Sequence, residues 1–278
     1  MFLQVFLVIL HRNLTVVKLS VKKFYLILLC IMLACIGCEW RMQSDLHSES
    51  DMIIERYDRL EAFFLTTGDF SALQQMQTRY PMQTRRLIED VLKLGQVDDA
   101  HINVRFLSFF QDSTLQSLIA EVGHQYGNME DVDKQLSKSF ERMTRLLPNV
   151  KTPEVYTQIG SLDQSIVVDG RLLGISLDKY LGADYPLYAQ FYDEKQRATM
   201  TRKNIVPDCL VFWLLSRYPM PNFENATQQE RDVHMGRIMW AANKSMNTLF
   251  FRSPYTTQAE RYMIKHPNTN MEAFLMAK

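Results

Sequence analysis

The sequence predicts an α+β fold that is mainly α-helical, a bundle-like helical domain with a small antiparallel sheet or hairpin inserted near its middle. Three observations favour this fold. Apolar residues recur at helical spacing over residues 50–148, β-branched and aliphatic residues crowd into residues 153–177, and helical spacing returns over residues 183–278. The chain beyond residue 38 is long enough to bury a hydrophobic core, so we predict a single domain over residues 50–278.

The first helices are indicated by apolar side chains three or four residues apart, a spacing that places them on one helix face. Four such segments lie before residue 148, at 53–64, 87–94, 115–122 and 132–147. Ser113 followed by Gln116 fits a capping box, in which two side chains bind the free N–H groups of a helix start. Pro148 is expected to end the last of these helices.

The middle of the chain predicts a small sheet. Residues 155–159, 165–168 and 172–177 are rich in β-branched and aliphatic side chains, which favour strands. Asp169 and Gly170 stand between the second and third of these segments, and both residue types tolerate the positive φ of a tight hairpin turn. We therefore expect a hairpin or a three-stranded sheet.

Helical spacing resumes at residues 207–218, where Asp208 lies near the helix N-terminus and its charge is favourable. Thr227 and Glu230 form a second capping box, which starts a helix that runs to residue 249. Cys209 lies within the first of these apolar helices. We expect it to be an inert core thiol rather than a nucleophile.

A basic segment followed by an apolar one predicts a secretory signal at the N-terminus. Lys18, Lys22 and Lys23 precede fourteen uncharged residues at 24–37. As a helix this run would rise about 21 Å, whereas the hydrocarbon layer of a bilayer is about 30 Å thick. A membrane span is therefore disfavoured, although an uncleaved anchor stays open as an alternative.

The residues that end the apolar run indicate which type of signal peptide it is. Ala34-Cys35-Ile36-Gly37-Cys38 resembles a bacterial lipobox, in which a cysteine is acylated and becomes the new N-terminus. We therefore predict a lipoprotein signal peptide over residues 1–38, lipid attachment at Cys38 and a polar tether over residues 39–49. Cys35, which follows Met32-Leu33-Ala34, is a weaker competing site.

The charge balance argues against a nucleic-acid-binding protein, and the cysteine count argues against a disulfide-stabilised one. The chain holds 31 basic and 31 acidic side chains, and four of the basic ones lie in residues 1–38, so the remainder is mildly acidic. A nucleic-acid partner is not expected, because no basic run with interleaved aromatic residues occurs. Cys209 is the single cysteine beyond residue 38, which excludes a disulfide framework.

Two sets of residues resemble catalytic or metal-binding motifs but lack residues that those motifs require. His234 lies in V-H-M-G-R-I-M-W, but Met235 and Ile238 replace the glutamate and second histidine of the H-E-x-x-H zinc motif. Four aspartates surround the sheet, and a pair of carboxylates could act as general acid and base; turn, capping or surface roles are favoured for Asp163, Asp169, Asp178 and Asp184. We predict no catalytic residue, no cofactor and no metal, and hence no enzyme.

The most distinctive string is S-I-V-V-D-G-R-L-L-G-I-S-L-D-K-Y-L-G-A-D-Y-P-L-Y at 165–188, followed by I-V-P-D-C-L-V-F-W-L at 205–214. It resembles the gliding motility lipoprotein GldB family of Bacteroidota, whose members show a similar I-S-L-D-x-Y-L-G-x-D-Y block and I-V-P-D segment. The resemblance implies a lipid-anchored protein of the cell envelope, facing the periplasm and linked to gliding motility or the associated secretion machinery. It supplies no catalytic residue.

The resemblance also carries two further expectations. The family is similar to zinc-dependent proteases, which implies a distantly zincin-like fold and, as an alternative function, a degenerate zinc metallopeptidase. Its members generally continue beyond the position of Lys278 with another apolar segment, so we expect this chain to be truncated at its C-terminus.

Partners are expected to be the lipid bilayer, through the acylated cysteine, and other envelope proteins. Residues 177–188 are the candidate interaction surface, because tyrosines are enriched at interface hot spots. The segment holds Tyr180, Tyr185 and Tyr188. The alternative is that these tyrosines cover the sheet.

Overall fold

The computed structural model describes residues 53–277, and the predicted signal peptide, Cys38 and the tether lie outside them. Six helices of the described residues precede the sheet: α1 Tyr57–Thr67, α2 Phe70–Arg79, α3 Pro81–Arg86, α4 Ile102–Phe109, α5 Ser113–Gln125 and α6 Glu130–Leu146. Helix α3 passes directly into a π-helical turn at Leu87–Val91. The predicted helical character of this half is confirmed.

The sheet has three strands, β1 Glu154–Gln158, β2 Ile166–Asp169 and β3 Leu172–Ser176, in the order β1-β3-β2. Strands β2 and β3 form the predicted antiparallel hairpin. Strand β1, however, pairs with β3 in parallel, so the sheet is mixed and the prediction of an antiparallel sheet is wrong. The chain reverses direction after β1 and again after β2, so β3 runs parallel to β1. Strand β3 lies between β1 and β2.

Gly174 in the central strand permits a close approach of the neighbouring strand. It is the register partner of Tyr156, and a Cβ atom at Gly174 would lie 2.6 Å from the Tyr156 ring. A larger residue would have to displace the buried Tyr156 ring, which makes edge-to-face contact with Tyr57 of α1 at 6.2 Å. This packing joins the sheet to the first helix.

Five helices of the described residues follow the sheet: α7 Glu194–Arg197, α8 Ile205–Arg217, α9 Gln228–Met246, α10 Pro254–Lys265 and α11 Met271–Met276. Helix α9 packs against α6, α8 and α10. Short 3₁₀ turns lie between them and after β3, at Leu177–Lys179, Pro186–Gln190, Arg202–Asn204 and Phe223–Asn225. Among residues 53–277, no helix combines the length and the hydrophobicity needed to cross a membrane.

The two predicted capping boxes have different outcomes. At the start of α9, Thr227 accepts from the N–H of Glu230, whose carboxylate accepts from the N–H of Thr227 at 2.7 Å, so this box is confirmed. At the start of α5 the cap is Asp112, which accepts from Thr114 N at 2.8 Å. The prediction at Ser113 is wrong by one residue, because the preceding carboxylate is an equally good cap and its charge also favours a helix N-terminus.

Candidate functional site

Three carboxyl groups are buried where β1 and β3 end, and we refer to them as the carboxyl cluster. Asp58 and Glu61 come from α1, and Asp178 comes from the 3₁₀ turn that follows β3; all three are at most 3% exposed. Buried carboxyl groups are uncommon because the charged form loses its hydration. Their hydrogen bonds therefore decide whether the cluster can act on other molecules.

Asp178 binds the backbone of the loop that follows β1. Its Oδ1 accepts from Gly160 N at 2.7 Å and its Oδ2 accepts from Leu162 N at 2.6 Å. Ser161 and Leu162 have φ of 53° and 65°, the left-handed region that is unfavourable for side-chain-bearing residues. Burial raises the pKa of Asp178, and the two N–H donors offset part of this rise. Asp178 thus fixes a strained loop against the end of β3.

Glu61 accepts a hydrogen bond through only one of its two carboxyl oxygens within the described residues. Its Oε2 accepts from Ile159 N at 2.9 Å, whereas Oε1 has no partner in the described part of the chain. Burial raises the pKa of Glu61 well above its usual value, and the nearby charges of Asp178 and Asp58 raise it further. Burial therefore disfavours the charged form of Glu61.

Asp58 is engaged on both oxygens. Arg56 donates to them from Nε and Nη2, each at 2.8 Å, and Thr157 of β1 donates its hydroxyl to Oδ1. Arg56 also donates to the carbonyl of Tyr126, which follows α5, at 2.8 Å. This ion pair therefore ties α1 to the sheet and to α5.

The tyrosines of residues 177–188 are largely buried. Tyr180 and Tyr188 are 2% and 0% exposed, and Tyr185 is half-buried with its ring 5.1 Å from that of Tyr188. The burial of Tyr180 and Tyr188 argues against the predicted interaction surface at these two residues and agrees with the alternative that they pack within the fold. Their rings pack inward because each hydroxyl finds a buried partner.

The hydroxyl groups of these tyrosines join the two halves of the distinctive string. Tyr180 donates to Asp208 Oδ2 at 2.9 Å, which links the I-S-L-D-K-Y block to the I-V-P-D start of α8. Tyr188 donates to the carbonyl of Asp178 and accepts from Leu181 N at 2.9 Å. Burial raises the pKa of Asp208 to about 6. The string thus specifies a buried polar network rather than an open surface.

The four aspartates named from the sequence are not brought together. Asp169 pairs with Arg86 at 2.6 Å, Asp163 lies 3.6 Å from Lys93, and Asp184 is exposed. Asp178 alone joins the carboxyl cluster. Sequence reasoning missed Glu61 as its partner; the available signal was its position four residues after Tyr57, on the buried face of α1.

Comparison with known proteins adds one finding. The model of a family described as gliding motility protein GldB matches residues 39–251. The chain belongs to the GldB family. The matched range includes the carboxyl cluster, residues 177–188, α8 and α9. Searches of curated proteins and of solved structures gave no match.

The helix that carries His234 does not support a zinc site in this GldB-family chain. His234 is 5% exposed and its Nε2 donates to the carbonyl of Tyr218 at 3.0 Å, while Ile238, where a second histidine would stand, is fully buried. Within residues 53–277, no three His, Cys, Asp or Glu side chains could hold a metal ion. The expected zincin-like resemblance is therefore not supported.

Two other groups have ordinary structural surroundings. Cys209 is a free, fully buried thiol, and burial raises its pKa, which disfavours the reactive thiolate. The prediction of an inert core thiol agrees with this environment. Burial lowers the pKa of His234, so its neutral form is favoured.

Three cavities of about 500–560 Å³ lie along α9, and none is lined by a member of the carboxyl cluster. His234 lines two of them, of about 500 and 520 Å³. The third, of about 560 Å³, lies between α9 and α10. The carboxyl cluster is thus suited to holding the fold together.

Proposed function

We propose that this GldB-family protein is a non-enzymatic lipoprotein of the bacterial cell envelope, anchored through acylated Cys38 and facing the periplasm. It serves gliding motility or the associated secretion machinery through contacts with other envelope proteins. The observation that carries the proposal is the family match, which opens at residue 39, directly after the lipobox cysteine.

The anchor follows from the physics of acyl chains. Each buried methylene contributes about 0.8 kcal/mol, so two or more chains hold a protein on a membrane where a single chain is marginal. Residues 39–49 are polar and would separate the lipid from the folded body. Localisation is then set by Cys38 and not by a spanning helix.

Hydrogen bonds hold the first described residues against β1 and α6, which suits a protein that is anchored through its N-terminus. Glu55 N donates to Val155 O at 2.9 Å and Glu55 O accepts from Thr157 N at 3.0 Å, so this segment adds a bridge to the edge of β1. Ile54 N donates to Asp133 of α6 at 3.0 Å. Tension on the tether would therefore be transmitted to the sheet and to α6 together.

A non-enzymatic role is supported by the state of the buried polar groups. Asp58, Asp178 and Asp208 accept hydrogen bonds from side chains or backbone within the fold, and Cys209 is enclosed. A catalytic acid or nucleophile has to reach substrate. These groups instead hold α1, the sheet and α8 in register.

Replacing Cys38 by alanine tests the anchor. In the native bacterium, we expect Cys38→Ala to lose palmitate labelling and to leave the membrane fraction, because the acylated sulfur is absent. Cys35→Ala is the matched control and should keep both properties. Palmitate labelling followed by fractionation measures the outcome, and a Cys38→Ala protein that labels like the parent would refute the proposal.

Crosslinking in intact cells tests the role in protein contacts. We expect the native protein to be recovered with a component of the gliding or secretion machinery, and Cys38→Ala to lose it because the protein is no longer held at the membrane. Mass spectrometry of the crosslinked material identifies the partner. Recovery of no envelope partner from cells in which the protein is correctly lipidated would contradict this part of the proposal alone.

A further inference from the structure

The cavity between α9 and α10, which we name the α9–α10 pocket, has a volume of about 560 Å³. Its walls include Trp240 of α9 and Leu249 of the connection between the helices. The helices approach closely at one end, where a Cβ atom on Gly236 would lie 2.4 Å from Tyr255 Cβ. They leave the pocket open towards the connection. Pockets for small ligands typically span about 300–1,000 Å³.

The connection between α9 and α10, which lines one side of the pocket, is held in one conformation. Asn243 Oδ1 accepts from Phe250 N at 3.1 Å and Phe251 N at 2.9 Å, and its Nδ2 donates to Phe251 O at 2.8 Å. Asn247 ends α9 in the left-handed conformation. Ser253 caps α10 by accepting from Thr256 N at 3.1 Å. The pocket is therefore preformed, which lowers the entropic cost of binding.

The pocket lining carries more positive than negative charge. Lys244, Arg252 and Arg261 line it together with Glu260. Glu260 already accepts from Lys244 Nζ at 2.9 Å and from the indole N–H of Trp240. The two exposed guanidinium groups are left without a carboxylate among the described residues, and Arg252 makes one long contact, 3.4 Å from Nε to Leu249 O.

We propose that the α9–α10 pocket binds an amphiphilic anion, a phosphate group that carries a short alkyl body. The guanidinium groups of Arg252 and Arg261 present paired N–H donors that match phosphate oxygens. The alkyl body would contact Leu249, which is 61% exposed, and so bury apolar surface that otherwise faces solvent; Trp240, which is 5% exposed, lines the same pocket. A membrane phospholipid and a soluble alkyl phosphate share this chemistry. The inference does not rest on the anchor or on protein partners.

Photolabelling of the full-length protein in phosphatidylcholine vesicles tests the pocket. The probe is octyl phosphate with a diazirine on its alkyl chain, and mass spectrometry locates the labelled peptide. We expect label within residues 240–261, with competition by excess octyl phosphate. Octyl glucoside of the same chain length and inorganic phosphate should compete weakly, because each supplies one half of the ligand.

A charge-matched pair of variants separates the pocket from general attraction. Arg252→Gln with Arg261→Gln should lower labelling on the order of tenfold, as expected for lost charge-assisted hydrogen bonds. Lys134→Gln with Arg145→Gln removes the same charge from the exposed face of α6 and should label like the parent. All four side chains are exposed, and circular dichroism checks that both variants fold.

The vesicle composition distinguishes the two sources of phosphate. Loss of label on adding phosphatidylglycerol to the vesicles assigns the site to a membrane lipid, and unchanged label assigns it to a soluble amphiphile; both agree with the proposal. Label outside residues 240–261, label that persists in the Arg252 and Arg261 variant, or equal competition by octyl glucoside would overturn it.

Discussion

Asp178→Ala is expected to lower the free energy of unfolding by about 2–6 kcal/mol. The change leaves the N–H groups of Gly160 and Leu162 buried without an acceptor, and each such group costs about 1–3 kcal/mol. It also removes the contacts that hold Ser161 and Leu162 in left-handed conformations. Urea unfolding followed by tryptophan fluorescence measures the loss, because Trp213 is buried in the same core.

Two further variants make this result interpretable. Asp163→Ala lies in the same loop, but its carboxylate is 45% exposed and 3.6 Å from Lys93, so the expected change is within about 0.5 kcal/mol. Asp178→Asn keeps one acceptor oxygen and should fall between the two alanine variants. If Asp178→Ala unfolds at the same urea concentration as Asp163→Ala, the bonds to the loop do not stabilise it.

The helices and the hairpin could be predicted from the sequence because their signals are local. Apolar spacing identifies the face of a helix, and Asp169-Gly170 marks the hairpin between adjacent strands. The pairing of β1 with β3 could not be predicted this way. It depends on insertion of β3 between β1 and β2, a contact between segments that no local pattern specifies.

The candidate site was harder to predict because burial decides the role of each side chain. From the sequence, Tyr180 fits an interface role and a core role equally well. The structure decides between them, because its ring is buried and its hydroxyl donates to Asp208. The spacing of Glu61 from Tyr57 places it on the buried face of α1, but a carboxylate there could also lie at the edge of that face. The group that it meets, Ile159 N at the end of β1, is distant in sequence and is not specified by any local pattern.

The free energy of unfolding is expected to fall as the pH rises above about 4. A buried carboxyl with a raised pKa keeps its proton in the folded state where the unfolded chain, with ordinary pKa values near 4, has lost it. Asp208, whose pKa is raised to about 6, contributes a decrease on the order of 3 kcal/mol between about pH 4 and 6. Glu61, whose pKa is raised well above its usual value, adds to the slope in the same window and extends the decrease to higher pH.

Neutral isosteres separate the two contributions. Asp208→Asn keeps an oxygen for the Tyr180 hydroxyl and should reduce the slope between about pH 4 and 6 only, whereas Glu61→Gln keeps an oxygen for Ile159 N and should reduce the slope from about pH 4 upward, including above pH 6. Glu130→Gln, at a side chain that is 73% exposed, is the control and should keep the parent slope. Urea unfolding at each pH gives the curves. If the Glu61→Gln curve is parallel to that of the parent, Glu61 is ionised in the folded state. Its Oε1, which has no partner among the described residues, would then need a cation or a hydrogen-bond donor from elsewhere.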